Sequence, residues 1–366
     1  MGALKDIYSS SFYNSFADTA MAVLPSFDRN EFIKAIFNND WKNKELKQRM
    51  KHTSFVLHQF LPDDFNKAAE IIKKITHKLQ QAKASENTFG FMFLPDYVET
   101  YGLNHFATSL KTIELVTQFV SCEYAVRPFI LKYKDRMMKQ MLNWSKHKNH
   151  HVRRLASEGS RPRLPWAMAI PELKRNPNPI LPLLENLKKD SSEYVRRSVA
   201  NNLNDIAKDH PSIVIGIASK WKGISNGTDV IIKHGSRTLL KQGNTEILKY
   251  FGLSNNTKLE VSKLKVITSK VKIGNDLLFS FEAINGSSKK QIIRLEYAIY
   301  YLRQNGQHSK KVFKISERTF EPQEKAVVTK KQSFRIITTR KFYTGQQKLS
   351  IILNGHERVF DKFILE

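Results

Sequence analysis

The triplet Val-Arg-Arg occurs at Val152–Arg154 and again at Val195–Arg197, 43 residues apart. The flanks recur with it: His151-Val152-Arg153-Arg154-Leu155-Ala156 is answered by Tyr194-Val195-Arg196-Arg197-Ser198-Val199. No other feature constrains the fold as much. A unit of this length cannot bury its own apolar face, so it must stack on neighbours of its kind. A weaker third copy runs Asp229-Val230-Ile231-Ile232-Lys233-His234-Gly235-Ser236-Arg237, at a shorter spacing and without the paired arginines.

The period lies in the ~40–47 residue range of HEAT and armadillo repeats. To about residue 250 the apolar spacing is helical, as in Phe65, Ala68, Ala69, Ile72 and Ile75, with helix starts at Pro62-Asp63-Asp64, Leu94-Pro95-Asp96 and Arg127-Pro128. The expectation is a mainly α chain, a curved HEAT-like-repeat α-solenoid over residues 1–253. After the polar break Gly252-Leu253-Ser254-Asn255-Asn256, taken as a linker, about seven β-type segments follow. They run from Lys263–Val266 to Val359-Phe360, with hairpin signals at Asn285-Gly286, Asn305-Gly306 and Asn354-Gly355. Residues 258–366 therefore read as a small all-β immunoglobulin-like sandwich without its disulfide.

Charge narrows the function. The chain has 60 Lys+Arg against 34 Asp+Glu, a net +26. The β-region alone, residues 251–366, carries +12 and the longer helical region +14. Such an excess repels itself and points to a polyanionic partner, nucleic acid before anionic membrane; the other reading is a merely soluble basic protein. The one cysteine, Cys122, excludes an internal disulfide and a Cys-based zinc or iron–sulfur centre. The N-terminus has no signal-peptide pattern and no stretch approaches ~18 consecutive apolar residues. A soluble, cytoplasmic protein is expected, with no metal and no cofactor.

In a HEAT solenoid, Arg153/Arg154 and Arg196/Arg197 would lie on neighbouring inner helices and track a phosphate backbone. They could equally pair with acids of the next repeat, and the residues leave both fates open. Between the copies, Arg161-Pro162-Arg163-Leu164-Pro165-Trp166 is too proline-rich to continue the helix ending near Gly159. A stiff connection is expected there, with the helix restarting around Ala167-Met168. A loop already stiff loses less entropy on offering Arg and Trp to a ligand; the plainer role for Trp166 is a plug between repeats.

The run His151–Gly159, the segment Arg161–Trp166 and the stretch Tyr194–Asp205 resemble the HEAT-like-repeat DNA alkylation repair glycosylases, in particular the AlkC branch with its C-terminal immunoglobulin-like domain. The resemblance implies excision of cationic N-alkylated bases (3-methyladenine, 3-methylcytosine and, third, 1-methyladenine) from double-stranded DNA; no lysine is poised as a Schiff-base nucleophile, so no lyase step is expected. It implies a clasped, bent duplex and a lesion reached without a deep base-holding pocket; a monomer is expected, with the β-domain clamping DNA. By matching position, Glu158 becomes the catalytic carboxylate and Trp166 packs on sugar or lesion, with Glu123 and Asp205 as companions. Arg153, Arg154, Arg161, Arg163, Arg196 and Arg197 become DNA-binding residues. Two rivals stand beside this reading: a non-catalytic HEAT-repeat DNA-binding protein, and a scaffold for an acidic protein.

Overall fold

The computed structural model describes residues 3–82, 84–253, 258–337 and 340–366. Among these are fifteen α-helices, ending at Thr245–Tyr250, and then eight strands. The last three residues of the proposed linker lie outside the described residues. No helix is long and apolar enough to cross a membrane, among the described residues.

The repeat is real in three dimensions. Helix His150–Gly159 packs on Glu193–Ile206, which packs in turn on Asn226–Gly235, the weak third copy. Each buries the valine or isoleucine stripe that the sequence pattern marks: Val152 and Leu155, then Val195, Val199 and Leu203, then Ile231 and Ile232. Gly235 is small for a reason, since a Cβ there would meet Leu203 Cβ at 2.9 Å. Helix starts also follow the sequence signals. Asp64 caps Phe65–Gln81 by accepting from Lys67 N at 2.9 Å, and Asn149 caps His150–Gly159 by accepting from His151 N at 2.8 Å.

One local expectation needs correction. The helix does not restart at Ala167-Met168; the next one is Pro171–Arg175. Trp166 sits at φ +66°, a left-handed conformation that a bulky residue rarely takes, so the chain cannot enter a right-handed helix there. Pro171 then occupies the first helical turn, where its missing N–H costs nothing.

The C-terminal strands are β1 (Leu259–Val266), β2 (Lys270–Val271), β3 (Asp276–Asn285), β4 (Gln291–Leu302), β5 (His308–Phe320), β6 (Lys325–Ser333), β7 (Gly345–Leu353) and β8 (His356–Leu365). They form a three-stranded sheet, β1-β3-β6, and a five-stranded sheet, β2-β8-β7-β4-β5. The two inner faces share one core that includes Phe279, Phe281, Leu295, Ile351 and Phe363. All seven expected strands are present; the eighth, β2, is two residues long and carries no period to read. Of the three Asn-Gly signals, only Asn354-Gly355 is a two-residue hairpin, with both residues at positive φ (46° and 80°). Asn285 instead ends β3 as a buried side chain whose amide donates to Lys289 O and Glu321 O.

The chain divides into two compact units, 1–210 with 220–235 and 211–219 with 236–366, not at residues 253–258. The last helices group with the sandwich because they meet its β7–β8 turn. A Cβ at Gly243 would lie 2.7 Å from Gly355 O in the β7–β8 turn, and Tyr250 Oη donates to Ala218 O at 3.1 Å.

Candidate active site

The residues singled out between and beside the repeats converge. Helix His150–Gly159 carries Arg154 and Glu158 four residues apart, hence on one face. The turn before helix Val126–Trp144 brings Glu123 to Arg154: Arg154 Nη1 donates to Glu123 Oε2 at 2.9 Å, and its Nη2 lies 3.8 Å from Glu158 Oε1. Just past the helix, Arg161 Nη1 donates to the same Glu158 oxygen at 2.6 Å. Its Nε donates to Asp205 Oδ2, from the end of helix Glu193–Ile206, at 2.9 Å. Lys208 reaches Asp205 Oδ1 at 3.1 Å. The result is one alternating chain, Glu123–Arg154–Glu158–Arg161–Asp205–Lys208.

Burial gives this chain its force. Glu158 is 5% exposed, Arg161 6% and Asp205 1%. Burial opposes the charge of Arg154, yet Glu123 and Glu158 outweigh it and hold its pKa above the usual value. Arg161 behaves alike between Glu158 and Asp205. The carboxylates differ in what remains open. Both Asp205 oxygens are engaged, whereas both arginines meet Glu158 at Oε1, leaving Oε2 outside those pairs.

Trp166, on the loop that follows Arg161, is 65% exposed and lines one cavity with Tyr124, the residue after Glu123. It is no plug between repeats. Its carbonyl accepts from Lys47 Nζ, on helix Leu46–Gln59, and Lys47 also lies 5.9 Å from the ring centre of Tyr124.

The other arginines go elsewhere. Arg153 grips Asp190 with Nε and Nη2, at 2.5 and 2.9 Å, and gives Nη1 to His147 O and Lys148 O. Arg196 repeats the second arrangement 43 residues on, with Nη1 on Asp190 O and Ser191 O. Arg163 pairs with Asp209 through two nitrogens. Arg197 is 64% exposed at its side chain and donates to the open Glu193 at 2.8 Å.

The family model described as "DNA alkylation repair enzyme" matches residues 53–220, and that of the YhaZ C-terminal Ig-like domain matches residues 260–366. The uncharacterized protein YhaZ of Bacillus subtilis (strain 168) is 43% identical over 355 residues, covering 97% of each chain. The alkylpurine DNA glycosylase AlkC of Pseudomonas fluorescens, solved bound to DNA containing an abasic site analog, matches with a TM-score of 0.92 at 34% identity. That match covers both chains in full. The chain belongs to the AlkC-like family of DNA alkylation repair glycosylases. The family's immunoglobulin-like domain accounts for the β-sandwich.

Two groups of residues here leave little mark in the sequence. Arg127, which the sequence marks only as a helix start, is fully buried. Its Nη1 donates to Gly159 O (2.9 Å) and Arg161 O (2.8 Å), and its Nε to Met168 O (2.6 Å). It thus holds both ends of the loop that carries Trp166. Burial, and then Arg161, depress its pKa to about 10. The other group is Asp96 and Glu99, which line a cavity of about 180 Å³ together with Trp166. The Arg127-Pro128 pair is visible as a helix start; three backbone acceptors from a distant loop leave no pattern around it.

Proposed function

We propose that this protein hydrolyses the N-glycosidic bond of cationic N-alkylated bases in double-stranded DNA, chiefly 3-methyladenine and 3-methylcytosine and, third, 1-methyladenine. The observation that carries the reading is the chain Glu123–Arg154–Glu158–Arg161–Asp205, half-buried at Glu123 and Arg154 and buried from Glu158 on, together with an exposed, conformationally constrained Trp166 on the loop that Arg127 holds. Structural ion-pair networks exist in many proteins, but few leave a large aromatic ring in solvent at a left-handed residue. The likeness to AlkC bound to abasic-site DNA supports the same reading.

A base carrying an N-alkyl cation leaves with the C1′–N electron pair as a neutral molecule, so no general acid has to protonate it. Positive charge grows on the sugar instead, water adds its oxygen to C1′, and the water's proton passes to a carboxylate and then to solvent. A carboxylate ~4 Å from the sugar cation is worth ~4 kcal/mol at an effective dielectric of ~20, close to a thousandfold in rate. Glu158 is the carboxylate for that role, because Oε2 lies outside its two arginine pairs. Asp205, engaged at both oxygens, acts by fixing Arg161. Glu123 fixes Arg154 in the same way. Trp166 would contribute about 1–2 kcal/mol by cation–π attraction to sugar or lesion.

Arg197 and, next, Arg163 are the arginines best placed to exchange an exposed acid for a phosphate. Arg153, Arg154, Arg161 and Arg196 serve DNA binding by holding the helices and loop that present the site. The protein acts as a monomer, with the β-domain on the same duplex. The test is base release from duplex DNA with single defined lesions, followed by chromatography. Release by the wild type and its loss in Glu158→Gln is the expected result; equal release by both removes Glu158 from the chemistry.

A further inference from the structure

The residue just before each Val-Arg-Arg triplet is aromatic, His151 in the first copy and Tyr194 in the second. Helix His150–Gly159 packs on helix Glu193–Ile206, so these equivalent positions meet face to edge, with ring centres 5.9 Å apart at 68°. Tyr194 also reaches beyond its own repeat. Its ring lies 4.9 Å from the guanidinium carbon of Arg154, a cation–π contact made by the second copy on the arginine of the first. In the third copy the matching place is Asp229, whose Oδ1 accepts from Gly223 N at 3.0 Å. That place therefore brings no ring to Arg197.

The edge of the Arg154 guanidinium is held from another side. Its Nη1 donates to Ser121 Oγ as well as to Glu123 Oε2 (2.9 Å), and Ser121 Oγ donates its own proton to the same Glu123 oxygen. A hydroxyl has one proton and two lone pairs, so it serves both partners at once. Arginine, carboxylate and hydroxyl close a triangle. Neither Ser121 nor Tyr194 is itself a member of the charged chain.

We infer that Tyr194 and Ser121 are positioning residues of the glycosylase reaction, acting through Arg154. The inference rests on the reading of Glu158 as the reacting carboxylate. Arg154 touches both Glu123 and Glu158, but its Nη2 stands 3.8 Å from Glu158 Oε1, an ion pair too long to be a hydrogen bond. So loose a contact does not by itself keep a guanidinium on one oxygen. With its face against the Tyr194 ring and its Nη1 on Ser121, the group is kept from rotating onto Oε2 and from turning outward to a DNA phosphate. Oε2 is then left for the sugar cation and the water. Loss of the ring or the hydroxyl frees Arg154 to follow the phosphate, so catalysis falls while DNA affinity does not.

The test compares single-turnover base release from 3-methylcytosine duplex DNA with affinity for abasic-site DNA. Tyr194→Leu, at a residue already 42% exposed, should lower the rate about tenfold, and Ser121→Ala about as much. That is the scale of one cation–π contact or one hydrogen bond to a charged group. Tyr194→Phe and Ser121→Thr keep the ring and the hydroxyl and should recover most of the wild-type rate. Affinity for abasic-site DNA should be unchanged or tighter in all four. Three results overturn the inference: Tyr194→Phe as slow as Tyr194→Leu, unaltered rates in Tyr194→Leu and Ser121→Ala while the wild type releases base, or affinity that falls in step with rate. A second readout needs no turnover. The Arg154 guanidinium N–H signals in arginine-labelled protein, assigned by their absence in Arg154→Lys, should exchange with water about tenfold faster in Tyr194→Leu and at the wild-type rate in Tyr194→Phe. Unchanged exchange in Tyr194→Leu overturns the clamp on Arg154. Faster exchange there, with no base release by the wild type from any lesion, keeps the clamp and overturns the glycosylase reading.

Discussion

The two Val-Arg-Arg copies share a sequence and a helix, yet half of each does something different. The first arginines share one arrangement, although Arg153 alone adds a paired grip on Asp190. Arg153 and Arg196 each give Nη1 to the carbonyls six and five residues upstream, tying the preceding loop to its own helix. The second arginines part company. Arg154 is half-buried between Glu123 and Glu158, while Arg197 lies open with Glu193. The cause lies in the residues downstream of each arginine. Four residues after Arg154 stands Glu158, but Asn201 holds that place after Arg197; Arg161 is likewise replaced by Asn204. A repeat sets where a helix goes. The residues one and two turns later decide whether it becomes a site.

The largest effect that would break this comparison belongs to Glu158. Glu158→Gln should lower base release by about a thousandfold, the scale of one well-placed charge in a water-poor site, with DNA affinity retained. Retained activity would make the first copy no more catalytic than the second. Next come the paired substitutions Arg154→Met and Arg197→Met. The first strands Glu123 and Glu158 and should cost about 3–5 kcal/mol of stability in denaturant unfolding. The second should change stability by less than about 0.5 kcal/mol, yet reduce the salt slope of DNA binding by about 1. Equal stability losses would erase the distinction between the copies.

Arg127→Met should lower kcat/KM by about a hundredfold, the effect of misplacing a reacting group by ~1 Å, while affinity for abasic-site DNA changes little. Partial recovery in Arg127→Lys, or on adding guanidinium at low concentration, would sharpen the claim that the strut works through the Trp166 loop. A smaller effect is expected of Glu99 on stability. Its pKa is raised in the fold by burial and then by Asp96, so its ionisation destabilises the native state as pH climbs from the ordinary carboxylate range through about 7. Glu99→Gln should therefore raise Tm at pH 8 and leave it little changed at pH 5. A uniform shift across that range would mean a packing effect instead of a charge effect.

Much of the architecture was legible in the residues because it depends on periodic burial. The stacked helices follow the 43-residue recurrence, and β1 and β3 to β8 follow the expected strand segments. Misses fall where local signals meet a tertiary constraint. Ala167-Met168 has nothing against helix, but Arg127 holds Met168 O and Trp166 turns left-handed. Asn285-Gly286 has a hairpin's composition, but the Asn285 side chain is needed inside the sandwich. At the candidate site, Glu158, Trp166, Glu123 and Asp205 were all named from sequence, largely through resemblance.

By itself, then, the sequence determined two kinds of fold, a basic surface and a conspicuous segment between two repeats, since periodicity and net charge are properties of the chain. Only the tertiary structure decided which arginines are open and which are enclosed by carboxylates. It alone brought Asp205 and Glu123 to opposite ends of one charged chain, and Asp96 and Glu99 to the side of Trp166. The physical reason is that a buried charge is defined by its partners, and these partners come from helices 30 to 70 residues apart in sequence.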